Sequence, residues 1–126
     1  MDKRRAGLLV GSLVATFLVL RLYLYFSPDS DFNVGPYNIH HLFTGLVLVT
    51  FCGITVILFK GSSRLLDGAT IGFGVGLSMA LDEWVYLITT DGSNASYLLP
   101  VSFWGGVIMI AAACLYIAIL YLSTRR

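Results

Sequence analysis

The sequence predicts an all-α polytopic membrane protein, a bundle of four transmembrane helices with both termini in the cytoplasm. Three observations carry that prediction. Hydrophobic residues make up 57% of the 126 and charged residues only 12%, whereas soluble domains carry about 25% charged residues. Four apolar runs reach the roughly 20 residues a helix needs to cross about 30 Å of hydrocarbon. Seven of the eight basic residues cluster at Lys3, Arg4, Arg5, Lys60, Arg64, Arg125 and Arg126. The positive-inside rule then places the N-terminus, the loop between the second and third runs, and the C-terminus together in the cytoplasm.

The runs fall near 6–26, 39–59, 66–89 and 98–122. Backbone groups cannot stay unpaired in lipid, so each is a helix, and the whole of 1–126 is one transmembrane domain with no room for a soluble one. The first run follows MDKRR, as a signal peptide would. It is too long, however, and it ends in YLYFSPD instead of a small-residue cleavage site, so it reads as a retained helix. Ser27-Pro28-Asp29 ends it, and Gly35-Pro36 leads to Asn38, the expected N-cap of the second helix. Lys60-Gly61-Ser62-Ser63-Arg64 makes a tight hairpin, Asp91-Gly92 stops the third helix, and Pro100 falls in the first turn of the fourth. The outer loops carry Asp29, Asp31 and Asp91 and no basic residue. A net charge of +1 offers nothing to a nucleic acid; the partner is the lipid bilayer of a multi-pass cell membrane protein. Asn94-Ala95-Ser96 matches a glycosylation acceptor, a tripeptide common by chance.

With the loop charges removed, Arg21, His40, His41, Asp82 and Glu83 remain. Ionisable groups within membrane segments are costly and point to function. Arg21 lies about 7–8 Å below the outer end of its helix, and Asp82 and Glu83 about 10 Å below theirs, at 1.5 Å per residue. The histidines occupy the first outer turn of the second helix. The five-residue hairpin makes the second and third helices antiparallel neighbours, pairing His41 in height with about Tyr86. The carboxylates thus come within reach of the histidines. Adjacent residues differ by about 100° around a helix, so one member of each doublet should lead and the other flank. Glu83 continues the spacing of Gly68, Gly72, Gly76 and Ala80, and His41 aligns with Gly45, so these two are the expected inward pair. Which of His40/His41 and Asp82/Glu83 faces inward stays open at the level of sequence.

Neutral histidines leave Arg21 to offset only one of two carboxylates. The excess negative charge is resolved by a protonated carboxyl, a protonated histidine or a bound cation. Two imidazoles and two carboxylates suit a divalent zinc, iron or manganese ion, and His40, His41, Asp82 and Glu83 are the candidate ligands. Arg21 and Tyr86 are candidate supports. The HH and DE doublets lack the i,i+3 or i,i+4 spacing of helical metal motifs. The leading expectation is therefore a metal- or proton-binding or structural site. Alternatives are a metal-dependent membrane enzyme acting on a lipid or a small outer-side substrate, and an oligomeric transporter or channel subunit.

Other features have plainer readings. The Gly68/Gly72/Gly76 stripe permits close helix packing and offers a face to a second copy of the chain. Trp84, Tyr86, Tyr97, Phe103, Trp104, Tyr23, Tyr25 and Tyr37 read as an interfacial aromatic belt. Cys52 and Cys114 read as small apolar residues with no disulfide. Ser78, Ser102 and Thr44 lack a neighbouring base and are expected to bond their own backbone.

IHHLFTG and GFGVGLSMALDEW also resemble a small, uncharacterised family of prokaryotic integral membrane proteins with IHHxxxG and GxGxxxxxxLDE motifs. The matching residues are His40, His41, Phe43, Gly45, Gly72, Gly74, Gly76, Asp82, Glu83 and Trp84. The resemblance covers the second and third helices. It implies that the two doublets belong together and carries over no activity; the expected location is a prokaryotic cytoplasmic membrane.

Overall fold

The computed structural model describes residues 1–61 and 63–124; Ser62, Arg125 and Arg126, counted above with the hairpin and the basic C-terminus, lie outside the described residues. Four long helices carry the fold: α1 (Lys3–Phe26), α2 (His41–Leu58), α3 (Arg64–Thr89) and α5 (Pro100–Ser123). All four are long and apolar enough to cross a membrane. A short hairpin of β1 (Asn33–Val34) and β2 (Tyr37–Asn38) precedes α2, and a single turn, α4 (Asn94–Tyr97), precedes α5.

The ends follow local chemistry. Asp2 caps α1 by accepting from the backbone N–H groups of Arg4 and Arg5, and Ser63 caps α3 by accepting from Leu66. Pro100 opens α5 at a position whose missing N–H has no partner to lose. Asn38 is not the cap of α2. It lies in β2 opposite Asn33, with Gly35 taking a φ of +60° at the hairpin turn, as two-residue hairpin loops require. The helix starts two to three residues later, with His40 at the cap position making no side-chain capping bond.

Helix α3 lies at the centre, packed against α2, α1 and α5, and α1 also meets α5. The seams are made by small residues. A Cβ on Gly45 of α2 would fall 2.9 Å from Met79 Cβ and from Ala80 N, and one on Gly76 would fall 2.7 Å from Leu48 Cβ. A Cβ on Gly72 would meet Cys52 Sγ at 2.6 Å. Two glycines of the predicted stripe are therefore occupied by the chain's own α2, while Gly68 has nothing within 4 Å. The sequence reading missed the other seams. Gly74 abuts Ser12 and Leu9 of α1, and Gly105 abuts Val85. Ser78 donates to Leu13 O across the α1–α3 seam at 2.8 Å, not to its own helix. Leu13, Phe17 and Ile110 form the buried apolar core between α1, α3 and α5. Elsewhere the helices expose large apolar side chains, among them Leu18, Leu22, Ile57, Ile108 and Leu122.

The end of the fold bearing the N-terminus is tied by charge. Arg4 pairs with Asp67 at 2.8 Å, and Arg5 donates to Gly61 O in the hairpin between α2 and α3. Asp67 lies in the first turn of α3. Cys52 and Cys114 are both free thiols.

Candidate functional site

Arg21, His40, His41, Asp82 and Glu83 meet at the opposite end of the fold, and both members of each doublet take part. The expectation of one leading and one flanking residue fails because α3 is central. Its neighbours lie on more than one side, so carboxylates about 100° apart each find partners: Asp82 meets Arg21 of α1, Tyr97 before α5 and His41 of α2, and Glu83 meets the start of α2.

Asp82 is 0% exposed. Its Oδ1 accepts from Arg21 Nε at 2.6 Å; its Oδ2 accepts from the Tyr97 hydroxyl and lies 3.0 Å from His41 Nε2. Arg21 spends all five of its N–H donors. Besides Asp82 Oδ1 they reach Asp82 O at 3.3 Å, Tyr97 O at 3.1 Å, and Ser102 Oγ and O at 3.1 and 2.9 Å. The guanidinium also lies over the Tyr97 ring, 4.1 Å from its centroid. Gly106 makes room for this pair, since a Cβ there would fall 2.9 Å from Asp82 Oδ1 and 3.1 Å from Arg21 Nη2.

Glu83 is 3% exposed. Its Oε2 accepts the backbone N–H of Leu42 at 2.7 Å, capping α2 in place of the side chain that His40 does not supply. Its Oε1 lies 3.2 Å from His40 Nδ1 and 3.4 Å from His41 Nδ1. His41 therefore has one ring nitrogen against each carboxylate. A continuous row of close polar contacts runs His40–Glu83–His41–Asp82–Arg21. Among the described residues, no three His, Cys, Asp or Glu side chains are arranged as a metal-holding group. Arg21 and Tyr97 take the two oxygens of Asp82 and the N–H of Leu42 takes Oε2 of Glu83, which leaves Glu83 Oε1 against the imidazoles.

Tyr86 supports the cluster with its ring alone. Its hydroxyl donates to Ser93 O at 3.0 Å, while the ring packs edge-on against Tyr97 and beside His40. Tyr97 and Ser102 belong to the site although the sequence reading assigned them to the aromatic belt and to self-bonding. The one available signal was Arg21 itself, whose five donors need more acceptors than a single carboxylate offers. Burial, and then the negative charge of Asp82, push the Tyr97 phenol well above its usual range, so it stays a neutral donor. Trp84 and Trp104 remain exposed.

Over the cluster lies a cavity of about 100 Å³, bordered by His40, His41, Glu83, Tyr86, Tyr97 and Asp31. It has room for a few water molecules. The loops above it are fastened by Asp31 Oδ1, which accepts from Asn38 Nδ2 at 3.2 Å and Asn94 Nδ2 at 2.9 Å. The amide of the Asn94-Ala95-Ser96 tripeptide is thus engaged in a loop clasp. Asp91 in turn holds α4 by accepting from Ser93 N at 3.0 Å and from the hydroxyls of Ser93 and Ser96. Those bonds, Ser96 first, lower its carboxyl to about 2.

No protein-family model, curated protein or solved structure matches the chain.

Proposed function

We propose that this is a small multi-pass membrane protein whose His/Asp/Glu cluster, near the outer face, binds and releases a proton. The observation that carries the reading is His41, with Nε2 3.0 Å from Asp82 Oδ2 and Nδ1 3.4 Å from Glu83 Oε1. An ionised carboxylate only accepts, and a neutral imidazole has one N–H. Nε2 is hydrogen-bonded to Asp82, while Nδ1 faces Glu83 at ion-pair distance without a hydrogen bond; a second proton on the ring would give both carboxylates a positive partner. Charge counting agrees. Arg21, Asp82 and Glu83 sum to −1 with neutral histidines, and one added proton brings the buried cluster to zero, avoiding an uncompensated charge in a poorly hydrated place.

Access is from one side. His40, His41 and Glu83 all border the cavity, so the cluster meets water there. Beyond Arg21 the core is Leu13, Phe17 and Ile110, and the Ser78 hydroxyl is spent on Leu13 O. That supports a proton store facing one side and weighs against a conduit through a single chain. The positive-inside rule makes that side the outer one, with termini cytoplasmic. The exposed apolar side chains of all four long helices fit a surface that lipid covers.

A divalent metal remains the alternative occupant of His40, His41, Asp82 and Glu83, and a metal-dependent enzyme its extension. A cavity of about 100 Å³ suits water or a small polar molecule and not a lipid headgroup. The deciding experiment is elemental analysis of purified protein together with a pH titration of wild type, His41→Ala and Glu83→Gln. The proton reading requires no stoichiometric metal and a titration step that both variants lose. Stoichiometric zinc, iron or manganese removed by His41→Ala would replace it.

A further inference from the structure

A second feature lies at the other end of α3. Between α2 and α3 a groove of about 440 Å³ opens at the surface, walled by Phe51, Cys52, Thr55, Leu65 and Gly68 with Arg64 at its mouth. That volume falls within the usual range for a bound small ligand. It is open over Gly68, where a Cβ would meet nothing within 4 Å, and it closes where Cys52 fills the space over Gly72. The Thr55 hydroxyl is spent on Phe51 O at 3.0 Å, which leaves the wall apolar. Arg64 and the adjacent hairpin residue Lys60 are exposed, and neither makes an ion pair among the described residues. Arg4 and Arg5, by contrast, are committed to Asp67.

We propose that this groove holds an acyl chain of an anionic phospholipid whose phosphate pairs with Arg64. A short apolar trough, about 6–8 Å along each helix at 1.5 Å per residue, with a cation that forms no ion pair among the described residues at the level where a helix begins, matches the headgroup end of an acyl chain and its phosphate. Basic residues at a membrane surface each contribute about 1 kcal/mol of attraction to anionic lipid. A second copy of the chain fits less well. Copies in one membrane share an orientation, so a two-fold axis along the membrane normal would bring Arg64 toward Arg64 at equal depth. The open stretch of small residues is also only Gly68, because α2 covers Gly72 and Gly76. The inference rests on the membrane reading but not on the proton cluster, which lies 18 residues further along α3, about 27 Å away at 1.5 Å per residue.

The test is native mass spectrometry of the full chain from detergent micelles carrying phosphatidylglycerol or phosphatidylcholine with identical acyl chains. Wild type should retain one phosphatidylglycerol about fivefold more strongly than phosphatidylcholine, whose choline offsets the phosphate charge. Arg64→Gln should weaken phosphatidylglycerol retention about fivefold, the equivalent of one basic contact. Gly68→Leu, which fills open space, should abolish retention while the protein melts as wild type. Equal retention of the two lipids, or retention unchanged in both variants, overturns the proposal. So does a wild-type dimer that Gly68→Leu converts to monomer, since a second copy would then occupy the groove.

Discussion

Glu83 caps a helix to which it does not belong: its Oε2 accepts the Leu42 backbone N–H at 2.7 Å, so a carboxylate on α3 closes the start of α2. Removing the carboxylate with Glu83→Ala leaves a part-buried donor without a partner, at a cost of about 1–3 kcal/mol. Glu83→Gln keeps an oxygen for Leu42 and should recover most of that loss while abolishing the titration. Thermal unfolding in detergent separates the two variants, and equal destabilisation would show that the cap contributes nothing.

Arg21 and Asp82 are each other's main countercharge, with the carboxylate wholly buried. Asp82→Ala strands the guanidinium, and breaking a buried pair in this way costs about 3–5 kcal/mol. Removing both charges with Arg21→Met and Asp82→Ala should cost less than the sum of the single changes. A double-mutant cycle on unfolding in detergent measures this coupling; strict additivity would refute it.

The glycines divide by what surrounds them. Gly45→Ala drives a methyl into the backbone at Ala80 N, and overpacking of this kind costs about 1–3 kcal/mol. Gly7→Ala, in α1 with nothing within 4 Å, should be neutral or stabilising by up to about 1 kcal/mol, the helix-propensity difference. Comparison of the two melting temperatures checks the seam between α2 and α3.

Asp91 gives the loop between α3 and α5 an acid dependence. Its carboxyl is held at about 2 in the folded protein against an ordinary 3.8. A depressed value means the ionised form is favoured by folding. Its contribution is present above about pH 4 and is lost as pH falls toward 2. The protection factors of the amides of residues 93–97, corrected for the intrinsic pH dependence of exchange, should fall on acidification through that window, and Asp91→Asn should lower them at neutral pH. A loop whose exchange protection is the same in wild type and variant would contradict this account.

The extent of the four long helices was legible in the sequence, since apolar length reports lipid-spanning segments directly. So was the set of charges that gather at one end. The pairing of those charges was not. Whether His40 or His41 points inward depends on where α3 sits among its neighbours, and periodicity along one helix carries no such information. A flanked α3 makes both Asp82 and Glu83 interior. The cap of α2 was misplaced at Asn38 because the chain inserts a two-strand hairpin there, and the capping oxygen arrives from 41 residues away. Tyr97 and Ser102 were hidden for the same reason: they reach Arg21 from separate elements, and no spacing links residues 21, 97 and 102.

The central claim concerns one proton on the row His40–Glu83–His41–Asp82. Nitrogen-15 spectra of histidine-labelled protein at neutral pH, assigned with His40→Gln and His41→Gln, read it directly. The account predicts that both His41 ring nitrogens carry hydrogen in wild type and that Glu83→Gln leaves only one of them protonated. A singly protonated His41 beside two ionised carboxylates, or a ring nitrogen shifted by a bound metal, would contradict it.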